Sequence, residues 1–595
     1  MPVSLFFTQG WVMSELRKLQ KAATLHDLAV ILNYEPKFLA YLIYKKTNKY
    51  SQFTIPKSSG APRNISAPCD ELKALQRKVK VLLDSCLETI ALQVPNLATL
   101  SHGFKKDHSI ITNADKHRKK LYVLNIDIQD FFGSIHIGRL RGFFITNRSF
   151  LLQPKIATIL SQIMCHEDKL PQGSPTSPVA SNLIGHLLDV RMVSLASKNG
   201  CVYSRYADDI TFSTNKLKFP QSIAYKIDDT HDWIPGSDLL KIISKSGFGL
   251  NHNKTRMQYN RAQQTVTGLI VNSITHTPAN FRRTVRAMAH KLFLDGDYYV
   301  QEKPKHLKKE KISIPRGQLK KLEGMFSYIY MVDNFNRAKI VSNSRKKQEE
   351  FPLRSIERIH GDFLFYKNFY GASAPTIICE GKTDNVYLTC AIKSLHAKFP
   401  ELASLTKEGK TRLNLRFINY SNLTHRVLGL NGGSADIGLF IRNYARQCGK
   451  YKAHPPLNPT IVIVDNDSGS KPIFSAIKDV TGSTYAIPKG KGTVLDTSKT
   501  LYKIAQNLYV ILTPKIGGKD SMMEHFFPAA TLATQYKGKT FEVVRSGPPS
   551  TTYSKHVFAQ NIIKANQKNI DFSGFEAILG SIKLALDDYP KIITP

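Results

Sequence analysis

Two groups of carboxylates in this chain could do chemistry. Asp208 and Asp209 stand together in YSRYADDITFS, and Asp127 closes the apolar run LYVLNID. Far downstream, Asp465 and Asp467 follow the β-branched run TIVIV, and Glu380 follows TIIC. Acidic residues delivered by strand ends and tight turns suit divalent-cation chemistry on phosphates, where two Mg²⁺ ions need acidic ligands about 4 Å apart around the reacting group. A single strand-end aspartate more often caps the turn that follows it. An Asp-x-Asp can also hold Ca²⁺ structurally. The ordered sets carry the argument, not any one residue.

The surrounding pattern predicts the elements that position them. Residues 12–45 place apolar residues at helical spacing, and residues 50–68 switch to short strands around a Gly/Pro/Ser turn. DELKALQRKVKVLLDSCLETI predicts an amphipathic helix with a basic outer face. From 120 to 280, short strands alternate with helices, with a strand ending at Asp127 and a hairpin turn at Ala207-Asp208-Asp209. TIICEGKTDNVYLTCAIKSL predicts a strand, a Glu380-Gly381 turn and a helix with Asp384 in its first turn. LGLNGGSADIGLF adds a glycine pair and a helix, and TIVIVDNDSGS another strand. Continuous apolar strands that feed helices describe a parallel sheet buried on both faces, with ligands at the carboxyl ends of its strands. Glu380, Asp465 and Asp467 would then meet at one rim.

A chain of 595 residues is too long for one core, so two to four domains are expected. Its 83 Lys+Arg against 46 Asp+Glu give a net charge of +37, the footprint of a polyanionic partner. Lys and Arg dominate residues 300–350, a duplex-binding surface beside the first acidic group. The seven cysteines are odd in number and never spaced as CxxC, which excludes a disulfide framework or structural zinc and fits the cytoplasm. No apolar run approaches the roughly 18 residues needed to cross a bilayer. MPVSLFFTQGWVM lacks the basic region and cleavage site of a signal peptide, so no membrane association is expected. A domain boundary falls at about residue 370, where fresh apolar strands begin.

The first ordered set resembles the reverse transcriptases. FTIPKSSGAPRNISAP is similar to their fingers strand pair, NIDIQDFF to the first catalytic aspartate block and LPQGSPTSPVASNL to the template- and nucleotide-positioning block. YADD resembles their signature tetrapeptide, and SGFGLNHNKTR and VTGLIVN the next two blocks. The resemblance implies an α+β right-hand polymerase, with fingers and palm over residues 1–280 and a basic thumb and linker over 281–370. It implies Asp127, Asp208 and Asp209 as catalytic Mg²⁺ ligands, with Gln172 and Gly173 lining the nucleotide and template site. Phe132 would be the steric gate against a ribose 2′-OH, and Arg63 and Lys254 would lie near the triphosphate.

NADKH, Asn113 to His117, resembles the NAxxH element of bacterial retron reverse transcriptases, and Val266-Thr267-Gly268 their VTG triplet. These imply recognition of a cognate structured non-coding RNA. They also imply priming from a guanosine 2′-OH and synthesis of branched multicopy single-stranded DNA (msDNA) from dNTPs, an RNA-directed DNA polymerase activity (EC 2.7.7.49). LKKLEGMFSYIYMV is similar to the thumb helix that grips the RNA stem, where shape and phosphates are read because A-form grooves hide base edges.

The second set, EGxxD, GG and DxD, resembles the Toprim fold of topoisomerases, primases and the overcoming-lysogenization-defect-like nucleases. It implies an α/β domain with a Rossmann-like parallel sheet and a C-terminal helical extension over residues 371–595. The implied catalytic and metal ligands are Glu380, Asp465 and Asp467. Asp384, and Glu524 in DSMMEHFF, are implied as further ligands of Mg²⁺ or Mn²⁺. His525 departs from the acidic residue usual at its position. Lys555 in YSKHVFAQNI would contact phosphate. With no topoisomerase domain to supply a tyrosine, hydrolysis with Glu380 as general base is the simpler reading. The whole then reads as a retron reverse transcriptase fused to a toxic antiphage nuclease that acts on cellular or phage nucleic acid and is held inactive by the RNA–DNA product. Two alternatives stay open: another reverse transcriptase whose Toprim domain processes its own cDNA, or one whose Toprim domain only binds it. Oligomeric state is also open, a homo-oligomer with DNA walling off the Toprim sites being one arrangement.

Overall fold

The computed structural model describes residues 14–56, 60, 62–93, 100–227, 232–298, 317–342, 351–490, 492–544 and 550–589. The opening MPVSLFFTQGWVM and most of the basic runs at 300–316 and 343–350 lie outside the described residues. The chain divides into two compact units, Met1–Pro278 and Ala279–Pro595.

The first unit opens with short helices, Glu15–Lys21, Leu25–Leu32 and Pro36–Ala40. Thr24 and Asp27 form a capping box at the second of these. An antiparallel hairpin follows, β1 (Tyr50–Pro56) and β2 (Pro62–Pro68), then α1 (Asp70–Gln93) and α2 (Ile110–Asp115). The central sheet is built from β3 (Tyr122–Gln129), β4 (Val202–Tyr206), β5 (Asp209–Thr214) and β6 (Gly249–Tyr259), with α3 (Ser177–Lys198) preceding β4. Its order is β4-β5-β3-β6, antiparallel throughout. Side chains alternate across a strand. Leu124, Ile126 and Ile128 of β3 therefore enter a core with Leu183, Ile184 and Leu188 of α3, while Asn125 and Asp127 face the other way. Asp127 is not the strand's last residue: β3 runs two residues beyond it, because Ile128 still bonds across the sheet.

A fully buried ion pair ties α3 to the hairpin. Arg205 Nε and Nη2 each donate to Asp189 at 2.7 Å, Tyr203 donates its hydroxyl to the same carboxylate at 2.6 Å, and Arg205 Nη1 donates to the Ala207 carbonyl at 2.9 Å. Gly185 makes room for it, since a Cβ there would stand 2.6 Å from Arg205 Nη2.

In the second unit α4 (Ala279–Asp295), α5 (Leu319–Ser342) and α6 (Ser355–Phe365) precede an α/β sheet. Its elements are β7 (Thr376–Cys379), α7 (Asp384–Ser394), β8 (Arg416–Phe417), α8 (Asn422–Leu428), α9 (Ser434–Cys448), β9 (Thr460–Val464), β10 (Leu501–Ala505) and β11 (Leu508–Leu512). The order is β8-β7-β9-β11-β10, parallel except for the edge strand β10. Both faces are buried, which is why these strands read as unbroken apolar runs. Ile377, Ile461, Ile463 and Ile511 share a core with Ile578 and Ile582 of the helix Glu576–Asp588. Ile378, Val462, Val464 and Val510 face a core that contains Phe440 and Ile441 of α9 together with Phe326 of α5 and Phe363 of α6. The helices expected as a thumb thus share one core with the C-terminal sheet. Glu357 of α6, itself buried, joins Arg337 of α5 to Arg426 of α8.

Replacing Asp189 by Leu would strand the Arg205 charge in the core. The expected outcome is a loss of about 3–5 kcal/mol in urea unfolding of the full chain.

Candidate catalytic sites

Antiparallel register places Asp127 of β3 directly opposite Asp209, the first residue of β5. The turn between β4 and β5 is Ala207-Asp208, tighter than the three-residue turn expected, with Ala207 at φ 55°. The Asp208 carbonyl accepts from Ile128 N at 3.0 Å, so the turn is bonded back onto β3. Asp127 is buried and accepts from Lys254 Nζ at 2.9 Å and Asn251 Nδ2 at 3.2 Å. Loss of solvent and then the charges of Asp208 and Asp127 push the Asp209 carboxyl up to about 6, although the residue is exposed by area. Burial and Asp127 raise Asp208 as well, while Lys254 and Arg63 pull it down. The structure therefore brings Asp127, Asp208, Asp209 and Lys254 together, with Arg63 near enough for its charge to reach Asp208.

The loop carrying Gln172 and Gly173 packs on the hairpin. The Gln172 carbonyl accepts from Ser66 N at 2.8 Å. Gly173 sits at φ 128°, and a Cβ there would meet the Ser66 carbonyl at 2.8 Å, so only glycine fits. Phe132 is half-buried and packs against Phe104, which in turn packs against Tyr206. Phe104 and its neighbours were not singled out from sequence. The segment 101–104 nevertheless buttresses the turn, as His102 N donates to the Arg205 carbonyl at 2.7 Å and Gly103 packs on Ala207. No motif marks that contact.

Asn113, His117 and Val266, expected to recognise RNA, are buried, so their side chains have no surface to offer it. They brace the sheet instead. Ser204 Oγ donates to Asn113 Oδ1, which leaves it to accept from His117 Nε2, while His117 Nδ1 accepts from Ser213, each at 2.7 Å. Thr267 hydrogen-bonds the Ile110 carbonyl on α2 at 2.9 Å, joining the two motifs. Thr267 and exposed Gly268 line a cavity of about 320 Å³ with Asn125, Tyr206, Asp209 and Arg256.

In the second unit, adjacency of the parallel strands β7 and β9 puts Glu380 and Asp465, each one residue past its strand, at the same rim. Ser470 Oγ donates to Glu380 Oε2 at 2.9 Å, and Asp467 Oδ1 caps its own turn by accepting from Gly469 N and Ser470 N. Asp384 accepts from Gly381 N at 2.7 Å across the predicted turn. Asp465 accepts from Met523 N at 2.9 Å, which draws in the short helical turn holding Glu524. Glu524 is buried, and Lys555 Nζ lies 3.0 Å from its Oε1. Lys555 is therefore not a free solvated lysine but the ion partner of this cluster. Burial, then Asp384, Glu524 and Glu380, push the Asp465 carboxyl up to about 8. Burial and Glu524 push Asp384 up to about 6, and burial raises Glu380. Sequence missed Ser470, whose partner lies ninety residues away in the chain.

The antiparallel sheet carries an acid pair at its β4–β5 hairpin, with Asp127 across from Asp209. Residues 55–280 match the family model described as reverse transcriptase (RNA-dependent DNA polymerase). The chain is 29% identical over 337 residues to the retron Ec86 reverse transcriptase of Escherichia coli, covering 56% of this chain and 92% of that one. It is 32% identical over 308 residues to the retron Mx162 reverse transcriptase of Myxococcus xanthus, covering 48% and 58%. To the retron Mx65 enzyme of the same organism it is 29% identical over 317 residues, covering 51% and 65%. The N-terminal part of the chain is thus similar to the reverse transcriptases, the retron enzymes among them. Among the described residues no helix is long and apolar enough to cross a membrane.

Burial pushes His117 down to about 3, with Lys116 adding to the effect, from an ordinary 6.5. The unfolded chain therefore binds the proton that the folded chain refuses. Stability from this group is full above about pH 6.5 and is lost progressively as pH falls toward 3. Urea midpoints measured across that window should fall, and His117→Gln should remove its share of the slope.

Proposed function

We propose that residues 1–280 are the fingers and palm, and 281–370 the thumb and linker, of a retron reverse transcriptase. It copies part of a cognate structured RNA into branched msDNA, starting from a guanosine 2′-OH. Support comes from the retron relatives and from the Asp127–Asp209 pair flanked by Asp208, the observation that carries the reading. In this role the three aspartates would hold two Mg²⁺ ions, which would supply activation of the attacking hydroxyl and neutralise charge on the phosphate. Arg63 and Lys254 supply positive charge beside the incoming triphosphate. Gly173 keeps the positioning loop against β2, and Phe132, backed by Phe104, closes the space beside the sugar.

Residues 371–595 would be a Toprim nuclease-like domain, the toxic effector of an antiphage system restrained by the msDNA. The mixed sheet and the carboxylates on its rim support this reading. Their donor set is all oxygen, suited to Mg²⁺ or Mn²⁺. Glu524 is buried beside Lys555, and Asp465 and Asp384, raised by burial and then by neighbouring acids, form an acidic group that a cation would neutralise. Among the described residues no three acidic, His or Cys side chains are closed into a ready cage. Glu380, Asp465 and Glu524 would hold the cation, with Asp384 and Asp467 beside them, and the ion would supply activated water. Glu380, raised by burial and oriented by Ser470, is placed to take a proton from that water. Lys555 neutralises the cluster and is available to a phosphate.

Asp208→Asn should lower DNA synthesis by about 100-fold or more, the scale of several kcal/mol of lost charge stabilisation, measured by dNTP incorporation on the cognate RNA. Asp465→Ala should leave that synthesis intact and abolish growth arrest when the system is triggered; arrest that persists would rule out the effector role. Sequencing the bound nucleic acid should find a 2′,5′ branch, whereas linear cDNA would favour a reverse transcriptase of another kind.

Cation binding to the rim should also register as stability. Mn²⁺ at about 100 times its dissociation constant adds about 2.7 kcal/mol per site. The Mn²⁺-induced rise in thermal midpoint should be smaller in Asp465→Asn than in the unaltered chain.

A further inference from the structure

The helix Pro36–Ala40 and the π turn Tyr41–Lys45 that extends it carry aromatic residues that the core does not use. Tyr34 and Phe38 stack with ring centroids 6.1 Å apart and planes 8° from parallel, and Phe38 stacks on Tyr41 at 6.4 Å and 25°. Phe38 and Tyr41, three residues apart, share one face of the helical segment, and Tyr34, just before the helix, stacks on Phe38. Leu39, Leu42 and Ile43 point the opposite way and are buried, which anchors the ladder to the unit. Phe38, Tyr41 and Tyr44 remain 41%, 45% and 58% exposed.

Positive charge surrounds the ladder. Lys78 Nζ lies 4.3 Å from the Tyr34 ring centroid and is pinned there by the carbonyls of Leu32 and Asn33, at 3.0 and 2.9 Å. Lys37 and Lys45 are exposed on the same short segment, and neither pairs with a carboxylate among the described residues. Buried centres of protein–protein interfaces are depleted of lysine. Exposed Phe38, Tyr41 and Tyr44, backed by half-buried Tyr34 and edged by ammonium groups, instead suit a strand of bases on a phosphate backbone. The chain's charge of +37 points to the same partner.

We propose that Tyr34, Phe38, Tyr41 and Tyr44, with Lys37, Lys45 and Lys78, form a docking surface for single-stranded nucleic acid, additional to the palm site. Bases stack on the exposed rings, and the ammonium groups meet the phosphates. Sequence tolerance is expected, because every base has a stacking face. The surface would hold a single-stranded stretch of template or product away from the carboxylates, and it does not depend on the Toprim reading.

The test uses the full chain, freed of co-purified nucleic acid, and a fluorescein-labelled single-stranded oligonucleotide carrying 5-iodouracil. Photocrosslinks should map to residues 34–45. Phe38→Ala combined with Tyr41→Ala should weaken binding by about tenfold or more, while Phe38→Tyr retains it. Lys37→Gln with Lys45→Gln should lower the salt dependence of log affinity by about one to two. Extension of a short pre-annealed primer–template should be unchanged in all three, which also establishes that the variants fold. Unchanged affinity with crosslinks only elsewhere would overturn the proposal. So would aromatic variants that abolish self-association in sedimentation while binding the oligonucleotide normally, since the face would then dock protein. If the double aromatic variant fails to fold, the lysine variant and the crosslink map still decide.

Discussion

Repulsion between gathered carboxylates is the constraint on which both halves of this protein depend. Burial first, and then the charge of neighbouring acids, raises the carboxyls of Asp209, Asp384 and Asp465 above the ordinary range. Each cluster is relieved by one lysine on its least solvated member. Lys254 lies 2.9 Å from Asp127, and Lys555 lies 3.0 Å from Glu524. Removing solvent from these acids costs stability, which chain packing elsewhere must offset. A site that stores this repulsion is already disposed toward a divalent cation.

The two units meet the constraint with opposite sheet geometries. In the palm, antiparallel register puts Asp127 and Asp209 face to face across neighbouring strands, and the buried Arg205–Asp189 pair fixes the intervening turn through the Ala207 carbonyl. Because that pair is bidentate and fully enclosed, its value is positional: a buried ion pair is weak evidence for stability but strongly resists the loss of either member. In the second unit the strands are parallel, so the acids come from successive strand ends and converge only because those ends share a rim. Turns do the remaining work there, through Ser470 on Glu380 and Gly381 on Asp384.

Much of this was legible in sequence because period and turn chemistry are local. The apolar run LYVLNID marked the strand that carries Asp127, and the unbroken apolar runs TIIC and TIVIV marked a sheet covered on both faces. Contacts between distant segments were not legible. Nothing near Phe104 announces that its segment buttresses the hairpin turn, and nothing in YSKHV announces that Lys555 reaches Glu524. The helices at 279–365 were expected, from the resemblance, as a basic thumb and linker over 281–370. Their apolar faces, through Phe326 and Phe363, instead join the core of the C-terminal sheet, a pairing that helical periodicity alone cannot specify.

The motifs expected to recognise RNA sharpen this distinction. Asn113 and His117 resemble recognition residues by position, yet burial and the serines of β4 and β5 absorb every polar atom they present except Asn113 Nδ2. Thr267 bonds the backbone of the helix that carries Asn113. The two motifs are therefore one structural brace, and their joint presence follows from contact rather than from a shared ligand. Only the outer edge of the brace, at Thr267 and Gly268, reaches open space, and it does so in the cavity that also contains Asp209. The buried members, Asn113, His117 and Val266, act through the placement of the β4–β5 hairpin that they brace, where the acid pair stands.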